Sequence, residues 1–205
     1  MDQDCYKTLI GSAVAEFKEK GSRFIAFTAS VETRAGAEQL IADIRDQYDD
    51  ATHHCYAYRI HQQTGLIAKS DDDGEPSGTA GRPILHVIES KELTNVLIVV
   101  TRYFGGTKLG MGGLMHAYST AAALVLDSAT IITRFHTDSV CIKCTYPQLN
   151  PVLKNVEAFH VSIQNAEYGE KVVLKAVIRK RDTRSFIQSI IDQTGGQVRP
   201  SMEFV

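Results

Sequence analysis

Long apolar runs are missing from this 205-residue sequence. The longest β-like one, Val96 to Val100, is far too short to cross a bilayer. The opening residues, Met1-Asp-Gln-Asp-Cys5, are acidic and hold no apolar stretch, so they do not read as a secretory signal. A cytoplasmic protein with no membrane partner is the expectation. Cysteine is scarce. Its four copies, Cys5, Cys55, Cys141 and Cys144, suit a reducing compartment, and only the last two have suggestive spacing. Val140 to Tyr146 reads as a strand, however, on which residues three apart point to opposite faces, one thiol toward the core and the other away. No second Cys-x-x-Cys or His-x-x-x-His pair completes a zinc site, so neither zinc nor a disulfide is expected there. An excess of positive charge is lacking too. The net charge of −2 argues against bulk affinity for nucleic acid. The distribution is uneven: residues 1–135 carry 13 basic and 17 acidic side chains, residues 136–205 carry 9 and 7. Arg179, Lys180, Arg181 and Arg184 make a local basic patch. No internal repeat or low-complexity tract is evident. The remaining composition, 43% hydrophobic and 22% charged, is that of a globular protein long enough for one large domain or two small ones.

The hydrophobic periods place the elements. Residues 8–17 and 22–31 read as strands around Glu19-Lys20-Gly21. Ala37, Leu40, Ile41, Ile44 and Tyr48 recur at helical spacing, predicting an amphipathic helix over 34–48. His54 to Ile60 alternates as a strand, and a loop is expected to run from there through the acidic glycine segment. A short helix begins near Thr79 to Pro83, with proline tolerated in its first turn. Asn95 to Thr101 is an apolar, β-branched central strand, and Leu114 to Asp127 a helix. After Thr133 the pattern restarts: a strand at 140–146, a helix opened by Asn150-Pro151, a hairpin of 161–166 and 171–178 around Tyr168-Gly169, a helix around 186–191 stopped by Gly195-Gly196, and a closing strand marked by Val198, Met202 and Phe204. That order, βαββαβ, is the ferredoxin-like motif. The expected class is α+β, with domains at 1–135 and 136–205.

Nine of the fifteen glycines lie between Gly65 and Gly113, eight of them in two segments, Ser70 to Gly81 and Arg102 to Gly113, flanking the 95–101 strand. Such clustering points to shape-critical loops. Strand, glycine loop and helix 114–127 form a unit whose helix N-terminus suits an anion, with Arg102 and Lys108 adding charge. It is neither a Walker A loop nor a complete dinucleotide fingerprint, since Met115 stands at the third glycine's place. Asp71-Asp72-Asp73-Gly-Glu75 lacks the alternation of an EF-hand and reads as an Asp-Gly turn. Ser77 lacks the spacing and the preceding strand of a nucleophile elbow. His53 and His54 face opposite ways on their strand, leaving His54 a partly buried, hydrogen-bonded residue. No catalytic residue, metal ligand or cofactor is assigned. The candidate binding residues are Asp73, Gly74, Glu75, Thr79 and Arg82 from the first segment. The second contributes Arg102, Tyr103, Gly105, Gly106, Lys108, Gly110, Gly112 and Gly113. The two segments are expected to converge on one face, and the patch 179–184 is a second basic surface.

Three blocks resemble the IMPACT family, also called the YigZ family. They are His53-His54-Cys55-Tyr-Ala57, then Asp72 to Gly81, then Arg102 to Gly110 running on to Gly112-Gly113-Leu114 and Ala117-Tyr118. His116 stands where the family often has arginine or lysine. The resemblance covers about the first 130 residues strongly and the tail more loosely. It implies an N-terminal domain similar to a ribosomal-protein domain, the fourth domain of elongation factor G and small-molecule kinases, and a tail similar to that factor's last domain. Eukaryotic relatives restrain a starvation-responsive translation-factor kinase by competing for its activator, and carry an extra N-terminal domain for which this chain has no room. The expected function is therefore a non-enzymatic, translation-associated regulatory module that contacts RNA, the ribosome or a translation-factor partner. Two alternatives stand beside it: an enzyme or binding protein for a phosphorylated or nucleotide ligand at the glycine loop, and a protein-binding adaptor. The enzyme reading needs a base or metal ligand at the loop, for which Asp73 and Glu75 are the only good candidates.

Overall fold

The computed structural model describes residues 4–62 and 65–203. The expectations on Met1 to Gln3 and Phe204 lie outside the described residues. The chain is a mixed α+β protein that divides into two compact units, one of residues 6–134 and one of residues 4–5 with 135–203.

In the 6–134 unit, the apolar run becomes strand β6 (Val96–Tyr103), the middle of a five-stranded antiparallel sheet. The sheet order is β2 (Ser12–Glu19), β3 (Ser22–Ser30), β6, β4 (His53–Gln62), β5 (Gly65–Asp71). An unbroken β-branched run suits a strand covered on both faces. Leu97 and Val99 pack with Ala37, Ile41 and Ile44 of α1 (Arg34–Gln47) on one side. Val96, Ile98 and Val100 pack on the other with Ile84 and Ile88 of α2 (Gly81–Ser90) and Ala117, Ala121 and Val125 of α3 (Gly110–Ser128). The expected 8–17 strand is broken at Gly11, whose φ of +72° ends β1 (Cys5–Ile10) before β2 begins. β1 pairs instead with β7 (Thr130–Phe135) in a separate ribbon. Residues 65–71 are not loop but the edge strand β5, in register with β4 from Gln62↔Gly65 to Tyr56↔Asp71. The helix expected at 114 starts a turn earlier, at Gly110.

The second unit carries β8 (Thr137–Cys144), α4 (Tyr146–Ala158), β9 (Ser162–Tyr168), β10 (Val172–Arg179), a 3-10 turn at Lys180–Asp182, α5 (Thr183–Gln193) and β11 (Ser201–Glu203). Its antiparallel sheet runs β11-β8-β10-β9. Val140, Ile142, Cys144, Leu174 and Ala176 meet Val152, Phe186 and Ile190 in its core. Helix α4 opens at Thr145, whose N–H donates to the Gln148 side-chain carbonyl at 2.9 Å, with Pro147 in the first turn and Pro151 inside the helix. Asn150-Pro151 is therefore not the opening. Cys144 lies in the core cluster with Val140 and Ile142, while Cys141 falls on the alternate strand positions, opposite Ser201 and Lys175. Both are buried, so facing away from this core does not expose Cys141. No helix among the described residues is long and apolar enough to cross a membrane.

Candidate functional site

The two glycine-rich segments meet. Glu75, from the first, accepts hydrogen bonds from Arg102 Nη1 at 2.5 Å and from the Tyr118 hydroxyl of α3 at 2.8 Å. Arg102, from the second, also donates to Ser22 Oγ at 3.2 Å and lies 5.5 Å from the ring centroids of both Phe24 and Phe104. Phe24 meets Tyr118 edge to face at 5.2 Å. The arginine is only 5% exposed and its Nε has no hydrogen-bond partner among the described residues. The arrangement is a buried ion pair clamped by aromatic rings and tied to three elements. Arg102 is thus a counter-charge in the interior, a correction to its expected part as a surface cation.

The acidic run is equally engaged. Asp72 accepts from the backbone N–H groups of Gly78, Ala80 and Gly81 at 2.7, 3.0 and 2.8 Å, so it caps α2 and fills that helix's N-terminal anion position. Burial raises its pKa, but the three N–H donors outweigh that and hold it below the usual carboxylate value. Asp73 accepts from Arg45 Nη2 and from the His54 N–H, both at 2.6 Å. His53 Nδ1 donates to the Asp73 carbonyl at 2.8 Å, and a Cβ added at Gly74, whose φ is +86°, would lie 3.5 Å from that imidazole. The Cys55 thiol lies 3.1 Å from the Asp72 carbonyl and 3.3 Å from Tyr118 Oη. Burial, before any neighbouring charge, pushes both the Cys55 thiol and the Tyr118 hydroxyl up. Neither is poised to ionise. His54 is 8% exposed, contacts Thr101 Oγ1 at 3.1 Å, and is lowered by burial against the opposing pull of Asp73. No group of three His, Cys, Asp or Glu side chains able to hold a metal occurs among the described residues.

The glycines serve the same convergence. A Cβ at Gly105 would fall inside the Gly21 backbone, and one at Gly81 would come within 2.6 Å of the Asp71 nitrogen. Gly106 and Gly110, at φ +85° and +72°, Gly112 and Lys108 are exposed. Gly113 packs near Leu109. Tyr103 donates to Asp50 at 2.6 Å, Thr79 is buried and donates to the Pro76 carbonyl, and Arg82 stands exposed on α2. Helix α3, unlike α2, has no side-chain cap. Around its start Phe104, Met111 and Met115 are 47, 63 and 47% exposed. In the second unit the basic patch is partly spent: Arg179 stacks 3.8 Å over Phe135 and Arg181 pairs with Asp4 and Asp182, leaving Lys180 and Arg184 exposed. Sequence reasoning missed Ser22 and Phe24, which sit about 80 residues from their partner Arg102. It also missed the exposed Phe104, although the Tyr-Phe-Gly-Gly sequence marks it.

The family model described as "Impact N-terminal domain" matches residues 20–126, and that of a domain of unknown function, DUF1949, matches 142–197. The "IMPACT family member YvyE" of Bacillus subtilis (strain 168) is 33% identical over 192 residues, 94% of this chain and 88% of that protein. The "Protein IMPACT homolog" of Saccharomyces cerevisiae is 35% identical over 112 residues, 53% of this chain and 43% of its own. A crystal structure described as that of a hypothetical protein superposes with a TM-score of 0.74 at 26% identity, over 98% of both chains.

Proposed function

Because this chain belongs to the IMPACT family, we propose that it is a translation-associated regulatory protein that works by binding rather than by catalysis, and that its contact surface is the second glycine-rich segment. One observation carries the reading. Asp72, Asp73, Glu75 and Arg102 all spend their charge inside the protein, so the segments hold a shape instead of offering a base, a nucleophile or a metal cradle. What that shape presents outward is Phe104, Lys108, Met111 and the uncapped start of α3. An aromatic ring, a cation and free backbone N–H groups suit RNA, through base stacking and phosphate contact. The same N–H groups are where a phosphate would sit. The Impact N-terminal domain model matches residues 20–126, which hold both glycine segments, and this supports that part as the unit carrying the family role. We assign the second unit to the ferredoxin-like fold from its βαββαβ order and its β11-β8-β10-β9 sheet, and the first to the fold of the elongation factor's fourth domain from the resemblance given above.

The test is a salt titration of the purified protein with ribosomes and with structured RNA. Affinity should fall as salt rises, and Lys108→Ala should weaken binding about equally for all sequences and reduce the salt slope by about one. Phe104→Ala should weaken binding without changing the slope. No association at low salt, or none that responds to either substitution, rejects the reading.

A further inference from the structure

We infer that Phe104 is a preformed stacking platform for a single unpaired RNA base, so that the element recognised is a single strand, a loop or a bulge and not a continuous duplex. The inference rests on the RNA reading above and narrows it to one class of RNA. The backbone around the ring is pinned from two sides. The Phe104 N–H donates to Thr52 Oγ1 at 3.1 Å, and the Gly105 N–H to Ser22 Oγ at 3.2 Å. Before them, Tyr103 donates to Asp50 and the Thr52 N–H donates to the Arg102 carbonyl at 2.8 Å. At Gly105 the chain crosses the Gly21 backbone with no room for a Cβ. The segment therefore has little freedom to withdraw the ring.

One face of that ring is already taken. The buried Arg102 guanidinium lies over it, 5.5 Å from the centroid, with Phe24 at the same distance from the guanidinium. Phe104 is still about half exposed, which leaves its other face to solvent. A rigid aromatic side chain on an anchored backbone loses little freedom on binding. The surroundings of the ring then select the partner. Phe104 lines neither the cavity between α2 and α3 nor the one on α5. An apolar anchor from a protein is worth most in a desolvated pocket, whereas a base needs only a flat face to stack on. In an A-form duplex the paired bases cover one another's faces, and recognition passes through phosphates and 2′-hydroxyls. Only an unpaired base can lay its face on Phe104. Lys108 is exposed and stands four residues on, at most about 14 Å along the chain, within reach of a phosphate of the same strand.

The test compares a labelled 12-nucleotide single strand with the same strand fully paired, by fluorescence anisotropy with the full-length protein at low salt. The single strand should bind at least about tenfold more tightly. Phe104→Leu keeps apolar bulk without a ring face. It should weaken single-strand binding roughly five- to 150-fold and close the gap between the two RNAs, its urea midpoint being measured first. Phe104→Trp gives a second readout. The chain holds no tryptophan, so the new indole reports alone, and its emission should be quenched by the single strand and not by the duplex. Should Phe104→Leu fail to fold, this quenching decides. Equal affinity for the two RNAs, a Phe104→Leu variant that keeps the wild-type preference, or an indole that the single strand leaves unquenched would overturn the inference. If Lys108→Ala weakens binding in that event, the RNA reading survives without it. If neither RNA binds, both fall.

Discussion

Deleting the Arg102 side chain leaves the Glu75 carboxylate buried without its counter-charge, and removal of one partner of such a pair costs about 3–5 kcal/mol. Arg102→Ala is therefore expected to shift the urea midpoint strongly, and Arg102→Met with Glu75→Gln to recover much of the loss. A variant of normal stability that merely bound RNA less well would show the arginine to be a surface contact after all. The glycines make a second comparison. Gly105→Ala drives a methyl into the Gly21 backbone, an overpacking that typically costs about 1–3 kcal/mol and is worse where backbone meets backbone. Gly106→Ala meets open space and incurs only its φ of +85°, about 1–2 kcal/mol. Gly105→Ala should be the less stable, and the reverse order of midpoints would contradict the crossing. At His54 burial holds the folded pKa below its ordinary value. The unfolded chain then takes up the proton first as pH falls below about 6.5, so acidification through that window destabilises the fold. His54→Gln should flatten this part of the stability profile, and an unchanged slope would show that His54 does not set it. At this scale the sequence singled out Glu75 and Arg102 and missed their pairing, because Glu75, Arg102 and Tyr118 acquire partners 27 and 43 positions away only on folding.

Element by element, periodicity was a sound guide wherever burial was one-sided or complete. Helix α1 and strand β6 stand within a residue or two of the ranges read from their patterns. It failed at β5, where every residue is half-exposed or, as Leu66 and Ala68 are, exposed, so that no buried face marks the strand and its order comes from its neighbour's ladder. It also failed at the start of α3, where glycines hide a first turn. Helix α2 begins without a capping side chain of its own and borrows Asp72 from eight and nine residues back. Asp72→Asn keeps an acceptor oxygen for the helix but loses the charge and sets an amide NH2 against the Gly78 N–H, so it should cost about 1 kcal/mol near neutral pH. Because the folded pKa of Asp72 is depressed, this contribution is present above the unfolded value of about 3.9 and is lost as pH falls through the folded one. The stability gap between wild type and variant should close in acid; a gap constant down to pH 2 would show that the charge of Asp72 contributes nothing.

For the whole molecule, each unit encloses its own apolar cluster. Residues 6–134 expressed alone are expected to unfold cooperatively in urea with native-like circular dichroism, and a fragment without a transition would refute their independence. The amino-acid sequence by itself determined the α+β class, the family, the restart of the pattern after residue 133 and the importance of the glycine segments. These follow from local periods and contiguous motifs, which survive without knowledge of distant neighbours. Tertiary structure alone decided which charges remain free. A carboxylate reads the same in sequence whether it caps α2, as Asp72 does, or neutralises a buried arginine, as Glu75 does. Only the close crossing of Gly21 and Gly105 and the meeting of β4, β6 and α3 turn Arg102 inward and leave Phe104, Lys108 and Met111 outside, because burial is a property of packed elements and not of the chain.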